Sequence, residues 1–338
     1  MKPEFSVLSF NVWTTLSANN GEFTELAKNR VRVVKEQILS YAPTVIGLQE
    51  DTPNWKRAMP SLDGYTEYRP AIEQSKYREH CSIYVKDGVE VVDNGYKLLT
   101  SDSTWNTVAL TYAELTDGDG IYDMSAADLG TLGLDVNNQN LQSSCPEGTD
   151  KSGSAVNSQE MLEAKLMNYV ILKIDGELIV CVNSHLQYRG YNNKSYTDHP
   201  LYILRYYERC AQWEMLQEQI ERLKAEYGTD NVVIMGDFND RENSAFYNHV
   251  VDSGYFDCYE TAKVRNGVER TWNYYFDGSS QGSIPKQNVS TNKSSRLDFC
   301  FVSESLSKKV YRYEAGNYEY DGINPSDHLP VIVEFSLK

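Results

Sequence analysis

Short apolar runs, punctuated by Gly, Pro, Asp and Asn, recur along the whole chain. Residues 5–11 read Phe-Ser-Val-Leu-Ser-Phe-Asn and predict a first strand that ends on the polar Asn11. Ala27, Val31, Val34, Ile38 and Tyr41 then recur at spacings of 4, 3, 4 and 3, with Lys28, Arg32, Lys35 and Glu36 on the remaining face. That period predicts an amphipathic helix packed on a sheet, closed by Pro43. Residues 44–48 form the next strand and deliver Gln49 and Glu50 at its end. Two hairpins are predicted, residues 81–86 with 89–92 around Asp87-Gly88, and 169–174 with 178–182 around Asp175-Gly176. The second runs straight into Asn183-Ser184-His185-Leu186.

A long helix follows, with Ile203, Tyr206, Cys210, Trp213, Leu216, Ile220 and Leu223 on one face. Residues 232–235 are a buried strand; Gly236 lets the chain turn and Asp237-Phe238-Asn239 follows. Residues 297–302 are a further strand carrying Asp298, and Pro325-Ser326-Asp327-His328-Leu329-Pro330 leads into a last strand at 331–335. Strands dominate, hairpins are frequent and helices enter singly. This rhythm predicts an α/β (α+β) fold, a sandwich of two mainly antiparallel β-sheets face to face with helices on the outer faces. Two stretches break it. Residues 111–160 hold nine carboxylates, one Lys and no Arg, and 276–295 are rich in Gly, Ser, Asn and Lys. Neither has apolar residues enough for a core, so both read as surface insertions, at about 111–165 and 276–295, in one domain spanning 1–338.

Composition narrows the function classes. Lys and Arg number 32 against 48 Asp and Glu, a formal net charge of −16. Proteins that grip many nucleic-acid phosphates carry the opposite sign, so tight non-specific nucleic-acid binding is not expected, while divalent cations are attracted. The six cysteines show no CxxC spacing, and several sit in apolar runs, which argues against a zinc site or a disulfide framework. No apolar window is long enough to span a membrane. A soluble monomer is the expectation, with cytoplasmic or exported placement left open.

The candidate chemistry collects at strand ends: Asn11, Glu50, His185, Asp237, Asn239, Asp298, Asp327 and His328. Each alone reads as readily as a structural residue or part of a turn as it does as a functional group. Together they put two imidazoles and four carboxylates where loops are held by a rigid scaffold. Asp237 and Asn239, two residues apart, can point the same way, an acceptor-only carboxylate beside an amide that donates and accepts.

These residues carry a resemblance. Ser9-Phe10-Asn11, Leu48-Gln49-Glu50, Asn183-Ser184-His185-Leu186, Gly236-Asp237-Phe238-Asn239-Asp240, Arg296-Leu297-Asp298 and Ser326-Asp327-His328-Leu329-Pro330 resemble, in order, the motifs of the endonuclease/exonuclease/phosphatase superfamily with the DNase I-like fold. The resemblance implies a four-layered sandwich that hydrolyses phosphoesters with Mg²⁺ or Mn²⁺. It implies Glu50 as metal ligand with Asn11 beside it, Asp237 as the base for the attacking water, and Asn239 holding that water or a phosphoryl oxygen. His185 and His328 would donate to the phosphate, Asp298 would fix the ring of His328, and Asp327 would be a second metal ligand or would position the site.

The substrate is less determined. Relatives cleave DNA, abasic sites, poly(A), inositol phosphates or sphingomyelin. The Trp-Cys-Asp-Arg signature of inositol polyphosphate 5-phosphatases is missing, with Ser295-Arg296-Leu297-Asp298 in its place. A nuclease groove would need a basic rim, for which Arg69, Lys76, Tyr77, Arg78, Arg189, Lys194 and Arg205 are the candidates near motif-bearing loops. The aromatic loop after His185 offers Arg189, Tyr191 and Lys194 as substrate contacts, or is a plain surface loop. Residues 271–276 are a packed strand or a lipid-inserting tip. The expectation is a divalent-metal-dependent phosphoester hydrolase acting on a small or lipid-derived phosphoester. A metal-dependent nuclease and a catalytically inactive binding module are the alternatives.

Overall fold

A computed structural model describes residues 4–14, 16, 18, 19, 21–70, 80–99, 165–187, 200–267, 269–272, 295–316 and 324–337. Its first half runs β1 (Phe5–Asn11), β2 (Ala18–Asn19), β3 (Glu22–Phe23), α1 (Glu25–Tyr41), β4 (Val45–Gln49), α2 (Pro53–Ala58), β5 (Tyr65–Tyr68), β6 (Ile83–Lys86), β7 (Glu90–Leu98) and β8 (Leu166–Ile174). Then come β9 (Glu177–His185), α3 (Pro200–Tyr227), β10 (Val232–Asp237), α4 (Ala245–Asp252), β11 (Phe256–Asp257), α5 (Cys258–Thr261), β12 (Val264–Gly267), β13 (Asp298–Val302), α6 (Glu304–Ser307), β14 (Val310–Ala315) and β15 (Val331–Phe335). The strands form a sheet ordered β12-β14-β15-β1-β4-β6-β5 and another ordered β11-β13-β10-β9-β8-β7.

The central strands are apolar on both faces because both faces are covered. On β1, Phe5 and Val7 pack between the sheets while Leu8 and Phe10 pack under Val31, Val34 and Ile38 of α1. On β10, Val233 and Met235 face the other sheet while Val232 and Ile234 lie under Trp213, Leu216 and Ile220 of α3. The layers are therefore helix, sheet, sheet, helix. Antiparallel pairs predominate, but β1 pairs β4, β10 pairs β9 and β12 pairs β14 in parallel.

The hairpin expected at 169–182 forms, with Asp175 and Gly176 both left-handed (φ 51° and 88°) as a tight turn between twisted strands requires. The one expected around Asp87-Gly88 does not. A turn is present there, with the Val89 N–H on the Lys86 carbonyl, but β6 already has β4 on one edge and β5 on the other. The chain crosses instead to the second sheet, where β7 pairs β8. The expected insertions at about 111–165 and 276–295 lie outside the described residues, apart from Lys165 and Ser295. No helix among the described residues is long and apolar enough to cross a membrane.

Candidate active site

Following the inward face of each central strand shows how the site arises. The pleat puts every second residue between the sheets, and each series turns from apolar to polar toward one end, with Ser9 on β1 and Asn183 on β9 already polar one step before the last member. On β1 it ends at Asn11, on β4 at Gln49, on β9 at His185 and on β10 at Asp237; β13 begins with Asp298. Register aligns them, because Asp237 lies opposite His185 on one side and Asp298 on the other, while Asn11 lies opposite Gln49. One end of the inter-sheet core is thus polar. Behind it Asn183 spans the sheets, donating to the Leu48 and Ser82 carbonyls and accepting from Gln49 Nε2 at 2.6 Å.

Asp237 is the hub. Its Oδ1 accepts the Asn239 backbone N–H at 2.8 Å, and its Oδ2 accepts Asn11 Nδ2 at 3.0 Å. The same Oδ2 faces His185 Nε2 at 3.6 Å and His328 Nε2 at 3.7 Å. Asn11 Nδ2 also donates to Glu50 Oε1 at 3.1 Å, so one amide bridges two carboxylates. The other Glu50 oxygen accepts the Thr14 N–H at 2.7 Å, and Asn11 Oδ1 accepts that of Trp13 at 3.0 Å. Asn239 Nδ2 lies 2.7 Å from His185 Nε2 and donates to the Leu186 carbonyl at 2.9 Å. Glu50, Asn239 and Trp13 all hold left-handed backbones (φ 59°, 53° and 53°), a conformation that costs about 1–3 kcal/mol each and clusters at functional sites.

His328 arrives from the far end of the chain. Ser326 Oγ donates to the Asn11 carbonyl at 2.6 Å and accepts the His328 N–H at 3.1 Å, which fixes the turn. Its Nδ1 then sits 2.7 Å from Asp298 Oδ2. Thr271 Oγ1 accepts the N–H groups of both Leu297 and Asp298, and Trp272 bridges to Ser295 and His328. Thr271 is buried and Trp272 is held by isolated bridges rather than within a strand, while 273–276 lie outside the described residues.

Charge is concentrated and buried here. Burial opposes a proton on His328, but the carboxylates of Asp298, Asp237 and Asp327 outweigh it and hold its pKa well above the ordinary 6.5. Burial raises Asp298, with His328 pulling the other way. Asp327 is pushed up to about 6, first by burial and then by the neighbouring charge of Glu50. Among the described residues, Asp237, Asp298 and His328 form a group whose candidate ligand atoms lie within 4.8 Å of one another. His328 is already held by Asp298 in that trio. The oxygen donors of Glu50, Asn11 and Asp327 are the harder set.

All eight strand-end residues are thus gathered at one end of the sandwich. The expected substrate contacts Arg189, Tyr191 and Lys194 lie outside the described residues, as do Lys76, Tyr77 and Arg78. Arg69, one of the candidates for a groove rim or else a solvated face, donates instead to the Asp51 side chain and carbonyl. Arg69 is half-buried; three fully buried arginines were not anticipated. Arg30 donates to the carbonyls of Val12, Trp13 and Pro325 and stacks over Trp13; Arg209 pairs with Asp240; Arg296 pairs with Asp257 between the rings of Tyr259 and Phe299. Each braces a motif-bearing loop.

Similarity to known proteins agrees with this architecture. An Enterocytozoon bieneusi protein named "Probable CCR4-Not complex 3'-5'-exoribonuclease subunit Ccr4" is 28% identical over 134 residues, which is 36% of this chain and only 27% of that protein's length. Among solved structures, a Bacteroides thetaiotaomicron endonuclease/exonuclease/phosphatase family protein superposes with a TM-score of 0.60 at 19% identity, covering 99% of this chain and 98% of the other. A mannosyl-6-phosphatase of the same organism gives 0.59 at 19%, covering 98% and 99%. Truncated TDP2 of Caenorhabditis elegans gives 0.57 at 16%, covering 98% and 97%. Residues 8–328 match the model of the Endonuclease/Exonuclease/phosphatase family, and the chain belongs to that family.

Proposed function

We propose that the chain is a divalent-metal-dependent phosphoester hydrolase in which Asp237 activates the attacking water, acting on a small or lipid-derived phosphoester. One observation carries this reading: a single oxygen, Asp237 Oδ2, is faced by Asn11, His185 and His328 from three different strands or loops. Both imidazole separations exceed a direct hydrogen bond. The rings face Asp237 without being bound to it, which suits a carboxylate that must take a proton from a water.

Asp237 would orient that water and accept its proton. Asn239, held in register by the Asp237 side chain, would hold a phosphoryl oxygen. His328, kept charged by Asp298, would donate from Nε2 as charge grows on the phosphate. His185 faces the same oxygen of Asp237 and would act on the phosphate from the other side. Glu50, with Asn11 beside it and Asp327 nearby, would hold Mg²⁺ or Mn²⁺, which supplies charge neutralisation at the phosphate. The donor chemistry fits such an ion: carboxylate and amide oxygens, no thiolate, and two neighbouring carboxylates whose mutual repulsion is one reason Asp327 sits near pKa 6.

A small substrate is supported by the net charge of −16 and by the capture of Arg69 in internal bonds rather than at a groove. The exoribonuclease similarity over 134 residues favours a nuclease as second reading. Hydrolysis of bis(p-nitrophenyl) phosphate and of sugar phosphates, with and without Mg²⁺, tests the first; nicking of plasmid DNA and shortening of RNA test the second. Asp237→Ala and His328→Ala are each expected to lower kcat at least about 10²-fold, the scale of one positioned proton-transfer or oxyanion group. Equal rates in the wild type and both variants would leave a binding module on this fold.

A further inference from the structure

Glu50 emerges from β4 with a left-handed backbone that a glutamate keeps only where its surroundings over-determine it. From the pocket side its carboxylate is fixed by Asn11 and the Thr14 N–H. From behind, the next residue is clamped. Asp51 is buried, its carboxylate accepts Arg69 Nη1 at 2.9 Å and the backbone N–H groups of His80 and Ser82, and its carbonyl accepts Arg69 Nη2 at 2.8 Å. The two arms of one guanidinium therefore grip the side chain and the main chain of the same residue. Arg69 is held in turn by Ser82 Oγ at 3.0 Å and by His80 Nδ1 at 2.8 Å. A planar fork pinned at this many points fixes a peptide far more rigidly than a point charge would.

We propose that Arg69 and Asp51 are positioning residues for Glu50, holding its strained backbone so that its carboxylate is presented to the divalent cation. The inference rests on the proposed role of Glu50 as metal ligand. Charge and position make opposite predictions here. Removing the cation Arg69 beside an acidic site should strengthen Mn²⁺ binding by Coulomb's law alone. Loss of positioning should weaken it, since supporting residues of this kind typically change metal affinity 10–100-fold, on the order of what a ligand's orientation is worth.

Mn²⁺ titration of the intact chain, following free Mn²⁺ by electron paramagnetic resonance, separates the two. Arg69→Gln is expected to weaken binding at least about tenfold, with Arg69→Lys between it and the wild type, because an ammonium cannot hold both arms. Near-ultraviolet circular dichroism matching the wild type establishes that each variant is folded. Unchanged or tighter binding in a folded Arg69→Gln, or in Arg69→Lys should Gln not fold, overturns the proposal. Failure of both to fold makes the clamp a requirement of the fold and equally overturns it. Glu50→Gln is the reference: if it binds Mn²⁺ as tightly as the wild type, the metal assignment itself falls. If it alone weakens binding, only the positioning role falls.

Discussion

Asp298 Oδ2 lies 2.7 Å from His328 Nδ1, and both side chains are buried. An imidazolium there is kept by its carboxylate partners against the penalty of burial, so the proton stays bound well above pH 6.5. In Asp298→Asn that support goes, and the pKa of His328 should fall. Activity that needs the protonated ring declines as pH rises through that pKa, so the alkaline limb of kcat should move to lower pH in the variant. Stability moves with the same sign. A raised histidine pKa contributes stability that is full below pH 6.5 and lost as pH climbs through the folded value. Superimposable pH profiles for wild type and Asp298→Asn would remove the pair from the mechanism.

Asp327 supplies a second pH-dependent test. Its pKa is raised from 3.8 to about 6 by burial and by Glu50, so the metal-free protein loses stability as pH rises through that interval. A divalent cation held by Glu50 and Asp327, as proposed, would offset the loss but would have to displace the proton at low pH. Saturating Mg²⁺, at about 100 times its Kd, is expected to stabilise the fold by about 2.7 kcal/mol near pH 7.5 and by much less near pH 5. Melting curves at both pH values, with and without Mg²⁺, measure this. A shift of the same size at both would show that no carboxylate with a raised pKa takes part.

The strands that build the site were readable because they are buried on both faces and end abruptly in a polar residue: the runs to Asn11, His185 and Asp237 each combine four or more apolar positions with such an end. Other features are invisible to periodicity for physical reasons. An Asp-Gly pair fixes a turn, not a partner, so the Asp87-Gly88 turn gave no sign that β6 was already paired on both edges. Strand β14 carries a register shift between Val310 and Arg312, which breaks the period of two that would have revealed it. Arg30 sits on α1 beside residues that do face solvent, and only the assembled fold brings the Val12, Trp13 and Pro325 carbonyls around it.

Gly236 tests how closely β9 and β10 approach beside the site. Its φ is 154°, and a Cβ there would lie 1.9 Å from the backbone oxygen of Ser184. No flexible side chain can yield, so the strands must separate next to the aligned pair of His185 and Asp237. Gly236→Ala is expected to cost about 3 kcal/mol, at the upper end of ordinary overpacking. Urea denaturation measures the loss, and a cost under about 1 kcal/mol would mean that the strands have slack there.

Arg209 and Asp240 tie the motif loop to α3. Arg209 Nη2 meets Asp240 Oδ2 at 2.6 Å with both side chains buried, and Asp240 follows directly on Asn239. On the same helix Gln212 Oε1 accepts the Gln187 N–H at 2.9 Å, two residues beyond His185. Breaking a buried pair leaves a charge without its partner, so Arg209→Met or Asp240→Leu alone should each destabilise by about 3–5 kcal/mol. Together they remove both charges and restore apolar volume, and the double variant should recover most of that stability. Activity should not follow. With the ion pair gone, Asn239 is fixed by its bonds to Asp237, His185 and the Leu186 carbonyl, without the anchor to α3. The double variant is therefore expected to melt near the wild type yet turn over about tenfold more slowly, the lower range for a displaced supporting group. Denaturation midpoints and kcat measured on the three variants separate the two roles. Recovery of both together would make the pair purely a matter of folding.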